Sequence, residues 1–267
     1  MTADAPLLAY DDSADRVPVL WIHGYPLSSL LWGIQSVELA DIARQIAPDL
    51  RGHGRTAPTP PPCTVAQYAD DCIRVLDHAG VTGPVVVGGL SMGGYVALEI
   101  GRRHPERVAG LILAATRAGA DSAEGRAGRD QAAQTARTDG VAAVVEGMLP
   151  KLFAPANLEA QPELVDFVRA MMLETTLDGM VGALAAMRDR PDSVDDLPGF
   201  DVPALVIHGA EDRLIPVAEA ELTASRLPDA QLVVIPGAGH LPNLEQPEAF
   251  NAAVRTFLES FYEDDEQ

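Results

Sequence analysis

The segment Val85-Val86-Val87-Gly88-Gly89-Leu90-Ser91-Met92-Gly93-Gly94 decides the fold. Its three valines make a short buried strand. The glycines after them make a tight turn, and Tyr95–Arg103 continues with helical spacing, stopping before Pro105. Inside it, Gly89-Leu90-Ser91-Met92-Gly93 matches Gly-x-Ser-x-Gly. In a strand–turn–helix setting this pattern lifts the serine onto a sharp elbow, and only small flanking residues let the neighbouring backbones pass so closely. The plain alternative is a glycine-rich turn with an incidental serine. A serine hydroxyl is a weak nucleophile, so the catalytic reading needs a base and an orienting acid elsewhere in the chain.

Outward from the elbow, short apolar runs alternate with helical stretches. Val17–Ile22 ends at His23-Gly24, and Gln45–Asp49 leads into Arg51-Gly52-His53-Gly54. Pro84–Gly88 precedes the elbow; Val108–Ala114, Ala204–His208 and Leu232–Ile235 follow it. These runs are rich in Val, Ile and Leu without polar alternation, as expected of parallel strands covered on both faces. Helical patterns over Val65–Ala79, Gly93–Arg103, Pro216–Arg226 and Pro247–Phe261 fill the gaps. The alternation predicts an α/β fold with a parallel sheet and right-handed crossovers. An edge strand is expected around Leu7–Tyr10.

One stretch breaks the alternation. From about Thr116 to Phe200 no strand run occurs, while helical patterns recur over Glu124–Thr138, Val141–Leu149, Pro162–Thr175 and Leu177–Arg188. The expected organisation is a core of residues 1–116 and 201–267, with 117–200 an all-helical insertion rather than an independent domain. Five of the seven methionines lie in it, better explained as core filling than as an adaptable pocket lining.

Composition bounds the function. Against 39 acidic residues stand 19 basic ones, a net charge of −20, which repels phosphate backbones and anionic lipid. Neither nucleic acid nor membrane is expected as a partner, and no apolar run is long enough to span a bilayer. Lys151 is the only lysine. Cys63 and Cys72 have neither disulfide nor metal spacing, and Met1-Thr2-Ala3-Asp4 does not open a secretory signal; a cytoplasmic location is the expectation. Neither a cofactor nor a metal is expected, and no pattern sets an oligomeric state.

The base and acid stand at matching places. Pro236-Gly237-Ala238-Gly239-His240 follows the last apolar run, and Gly209-Ala210-Glu211-Asp212 follows the one before it. His240 is the candidate base. Strand geometry leaves Glu211 and Asp212 both open as the acid. An acyl-transfer oxyanion also needs preorganised N–H donors. Met92, after the serine, and Tyr25, in His23-Gly24-Tyr25-Pro26, are the candidates, since Pro26 has no N–H. His23, His53, His78, His104 and His208 are read as structural or exposed.

Together these segments, with Asp49-Leu50-Arg51-Gly52-His53-Gly54 and Gly239-His240-Leu241-Pro242-Asn243-Leu244-Glu245, resemble the α/β-hydrolase superfamily over about residues 17–261. Within it they resemble small bacterial esterases, 3-oxoadipate enol-lactonases and cofactor-free haloperoxidases (perhydrolases). The resemblance implies an eight-stranded, mostly parallel sheet flanked by helices, with a helical cap after strand six. Its spacing favours Asp212 over Glu211, giving the order Ser91, Asp212, His240. The implied activity is a serine hydrolase cleaving a small-molecule carboxylic ester or lactone. An enol-lactonase substrate would carry a carboxylate and want a pocket cation, for which the insertion offers Arg117, Arg126, Arg129, Arg137, Arg169, Arg188 and Arg190. Dehalogenases and epoxide hydrolases of this fold carry Asp where this chain has Ser91.

Two competing readings differ in class. Gly52-His53-Gly54-Arg55-Thr56-Ala57 formally matches a dinucleotide-binding pattern, but Pro58-Thr59-Pro60-Pro61-Pro62 follows where a helix N-terminus would have to receive the pyrophosphate. A non-catalytic small-ligand receptor on the same fold is the other, because fold does not fix function.

Overall fold

The computed structural model describes residues 7–13 and 16–263. The apolar runs form strands β1 (Tyr10–Asp12), β2 (Val17–Ile22), β3 (Ala43–Pro48), β4 (Val85–Leu90), β5 (Val108–Ala114), β6 (Ala204–Gly209) and β7 (Ala230–Ile235). They make one sheet in the order β1-β3-β2-β4-β5-β6-β7. Every pairing is parallel except β1 with β3. Where the resemblance implies eight strands, the described residues form seven, and the helical insertion follows the fifth of them. The edge strand forms at Tyr10–Asp12 rather than over Leu7–Tyr10, because its partners are Pro48 to Ile46 on β3 and Asp12 is held by Arg44.

β4 lies at the centre, and all six of its residues are buried. That is the reason for its unbroken Val-Val-Val-Gly-Gly-Leu sequence: both faces are covered, and Gly88 leaves room for the Trp21 ring from neighbouring β2. β7 departs from the expectation. As an edge strand it is half solvated, with Leu232 and Val234 exposed.

Helices outside the insertion cover the sheet: α1 (Gly33–Glu38), α2 (Val65–His78) and α3 (Met92–Arg103) before it, then the crossover α9 (Val217–Arg226) and, after the last strand, α10 (Pro242–Glu245) and α11 (Pro247–Glu263). α2 begins where expected because the Thr64 hydroxyl caps it, accepting from the Gln67 N–H at 3.1 Å. Its apolar stripe (Val65, Tyr68, Ala69, Cys72, Val75, Leu76) is wholly buried.

Between β5 and β6 run five helices, α4 (Ala123–Asp139), α5 (Val141–Leu152), α6 (Pro155–Ala160), α7 (Pro162–Leu173) and α8 (Leu177–Arg188). The patterns predicted four of them. α6 is a six-residue turn of helix opened by Pro155, too short to show a period. Among the described residues no helix is long and apolar enough to cross a membrane.

Candidate active site

The candidate residues all follow carboxyl ends of strands, the edge at which open α/β sheets place their sites. Ser91 directly follows β4 and carries a strained backbone, φ 54° and ψ −112°. Such a conformation persists only if its surroundings impose it. Here the Ser91 N–H donates to the Ala114 carbonyl at 2.9 Å, and the Thr116 hydroxyl donates to the Ser91 carbonyl at 2.8 Å. The glycines supply the clearance: a Cβ on Gly93 would overlap the Ile22 carbonyl, and one on Gly89 the Gly93 carbonyl.

Asp212 and His240 follow β6 and β7, and the fold brings them together across 28 residues of sequence. His240 Nδ1 and Asp212 Oδ2 are 2.7 Å apart. Asp212, not its exposed neighbour Glu211, therefore meets the imidazole. The other carboxylate oxygen accepts from the Leu214 and Ile215 N–H groups at 2.8 and 3.0 Å. Burial opposes the Asp212 charge. The facing His240 imidazole, the hydrogen bonds from His208 and His240 and the Ile215 N–H outweigh it, holding the carboxyl well below the usual carboxylate range. A carboxylate locked in its charged form is what orients and stabilises an imidazolium.

Ser91 and His240 share the wall of one cavity of about 460 Å³ with Tyr25. No hydrogen bond joins the serine hydroxyl to the imidazole. Proton transfer requires about 2.6–3.2 Å, a contact that often tightens only with substrate bound. The rest of the wall comes largely from the insertion, including Met148, Leu184 and Met187. The insertion methionines thus divide: Met171, Met172 and Met180 are buried core, while Met148 and Met187 line the cavity.

The loop after β2 is held by His23. This fully buried imidazole has Nδ1 2.8 Å from the Gly24 carbonyl, and its Nε2 accepts from the Leu50 N–H at 2.9 Å. Burial lowers its pKa, so it stays neutral and serves as a fixed strut. The same burial, with His23 adjacent, pushes His53 down to about 3. Downstream of His23, the backbone N–H of Tyr25 has no acceptor among the described residues, nor does that of Met92 at the first position of α3. Tyr25 lines the cavity, whereas Met92 directly follows Ser91 in the chain and is not on the wall.

Three contributors escaped the sequence reading. His208, on β6, was grouped with the structural histidines; it is fully buried, with Nε2 2.8 Å from the Ile215 carbonyl and 3.3 Å from Asp212 Oδ2. Lys151 stands on the cavity wall, whereas of the insertion's arginines only Arg117 and Arg129 do. Glu245, 3% exposed, binds two separate pieces of chain at once. Its Oε1 accepts from the Gly239 and Leu241 N–H groups, at 2.8 and 3.2 Å, on either side of His240. Its Oε2 accepts from the Ala154 N–H and the Asn157 amide, at 2.8 and 2.7 Å, in the insertion. Only the motif containing Glu245 hinted at a role. Among the described residues no group of three His, Cys, Asp or Glu side chains is placed to hold a metal ion.

A family model described as the alpha/beta hydrolase family matches residues 19–253. The chain belongs to this family. A solved thermophilic esterase from Thermogutta terrifontis, malate bound, is 42% identical with a TM-score of 0.92, covering 95% of this chain and 93% of its own. The 3-oxoadipate enol-lactonase 2 of Acinetobacter baylyi is 28% identical over 93% of this chain and 91% of its own length. A non-heme haloperoxidase of Rhodococcus erythropolis is 29% identical over 97% and 98%. This α/β hydrolase therefore has esterase, lactonase and haloperoxidase relatives across nearly its whole length.

Proposed function

We propose that this α/β hydrolase is a serine hydrolase that cleaves a carboxylic ester or lactone of a small molecule through an acyl-enzyme. One observation carries the reading: the strained Ser91 shares a cavity with His240, whose other ring nitrogen meets the buried Asp212 carboxylate. His240 Nε2 takes the Ser91 proton as the oxygen attacks the carbonyl carbon. The carbonyl π electrons move onto its oxygen, where the Met92 and Tyr25 N–H groups receive the negative charge. Asp212 holds the imidazole tautomer and stabilises its charged form. Collapse of the intermediate breaks the acyl C–O bond, and the His240 proton goes to the departing alkoxide; in a lactone the alkoxide stays tethered to the acyl group. Water then gives a proton to His240 and its oxygen to the acyl carbon, and the proton returns to Ser91 as the acid leaves.

The residues of the insertion cover this site and act as its cap. Hydrogen peroxide in place of water would give a peracid by the same steps, the activity that the haloperoxidase relative's name brings into view. Buried free Cys63 and Cys72 accord with a reducing, cytoplasmic location.

The test is covalent labelling by a fluorophosphonate, read by intact mass, together with 4-nitrophenyl acetate hydrolysis. One adduct is expected, absent in Ser91→Ala, with hydrolysis reduced by several orders of magnitude. No adduct on the wild type would favour a non-catalytic receptor, and an unchanged rate in Ser91→Ala would refute the serine mechanism.

A further inference from the structure

The charges on the cavity wall do not balance. Arg117, Arg129 and Lys151 line it, with a single acid, Asp121. In a chain of net charge −20 such a wall is not background. Asp121 is moreover fully committed. Its side chain is solvent-free; Oδ1 accepts from Arg117 at 3.0 Å and from Arg190 at 2.8 Å, and Oδ2 from Arg129 at 3.0 Å. Arg190 also feels the Asp192 carboxylate, but neither of these is on the wall; there Arg117 and Arg129 face Asp121 alone, which leaves excess positive charge beside the cavity. Glu219 acts on Arg117 but is not on the wall.

Lys151 has no such counterion. Its ammonium makes no ion pair or hydrogen bond with any described residue, and it is both exposed and on the wall, so it stands where the cavity opens to solvent. Its place is fixed by the next residue: the His240 N–H donates to the Leu152 carbonyl at 2.8 Å. Bond lengths then keep the Lys151 and His240 Cα atoms within about 11 Å of each other. Tyr25 supplies a second donor on the same cavity. The Tyr25 hydroxyl is buried, lies on the wall and has no partner, and it feels the charge of Arg129.

We propose that the substrate is an ester or lactone bearing a carboxylate a few bonds from the scissile carbonyl, and that Lys151 receives this carboxylate at the cavity mouth. The assignment rests on the serine-hydrolase reading of the same cavity. Arg117 and Arg129, tied to Asp121, supply the field; Lys151, free to move its long stem, supplies the contact. A neutral ester gains nothing from either.

The experiment compares two activated esters of equal length, 4-nitrophenyl hydrogen glutarate and 4-nitrophenyl 5-oxohexanoate, after subtraction of their spontaneous rates. The wild type should favour the anionic ester by about fivefold or more in kcat/KM at low salt, mostly through KM. The preference should shrink toward 1 M salt, where the screening length is about 3 Å. Lys151→Met should bring the ratio close to unity, Lys151→Glu should invert it, and Lys151→Arg should retain most of it. Equal Ser91-dependent turnover of both esters by the wild type, or a ratio indifferent to Lys151→Glu, overturns the anion assignment and leaves the serine reading standing. Absence of Ser91-dependent turnover of either ester overturns both.

Discussion

Replacing Glu245 by Gln tests whether the His240 loop is held from the insertion side. The wild-type carboxylate accepts four hydrogen bonds, two on each oxygen. An amide of the same shape replaces one oxygen with NH₂, so two of those donors face another donor. A buried donor left without an acceptor costs about 1–3 kcal/mol, or about 2–6 kcal/mol for two. Relief from burying a charge offsets part of this, and we expect Glu245→Gln to lose about 2–4 kcal/mol in urea unfolding. Gly239 and Leu241 flank His240, so the imidazole should also shift; a displacement near 1 Å costs on the order of 100-fold in rate. The expected fall in kcat/KM is about 10–100-fold, borne mainly by kcat. Burial, outweighing its hydrogen bonds, holds the Glu245 carboxyl above its ordinary value of 4.5. The folded state then binds this proton more tightly than the unfolded one, so wild-type stability falls as pH rises from 4.5 through the raised value. Gln carries no such proton, so the deficit of the variant should narrow across that window. A variant within about 0.5 kcal/mol of wild type with unaltered kcat/KM would refute the reasoning, since 0.5 kcal/mol is the ordinary scatter of surface substitutions.

Two further substitutions probe the elbow and the acid. Asp212→Asn keeps the shape but disfavours the required imidazole tautomer, and kcat should drop about 10³–10⁴-fold. The folded Asp212 carboxyl lies below its ordinary 3.8, so its stabilisation is complete above that value and is lost as pH falls through the folded one. Acid unfolding of the two proteins should therefore converge at low pH; a constant gap would show that the carboxyl is not perturbed. Gly93→Ala forces a Cβ onto the Ile22 backbone carbonyl, which cannot yield as a flexible side chain would. Thermal unfolding should show a loss of about 3 kcal/mol or more, and a loss under 1 kcal/mol would mean that the elbow relaxes.

The legible parts of this protein were those that local physics dictates. A strand buried on both faces must be apolar throughout, as β4 is, and an elbow packed against backbone must be glycine at Gly89 and Gly93. Helix periods wrote out α2, α3 and most of the insertion. β7 misled because burial on one face and burial on both give similar valine-rich runs when a strand is short.

The chain itself determined the order of strands and helices, the strained serine turn and the loops on which the acid and base would stand. Strand geometry left Glu211 and Asp212 open, the resemblance favoured Asp212, and the tertiary structure sets Asp212 against His240. Only that structure decided that Lys151 faces the cavity while most of the arginines do not, and that Glu245 reaches 91 residues back to Ala154. Periodicity and spacing report the local path of the backbone. Which side chains meet across long loops is set by how whole elements pack, and no local pattern carries that information.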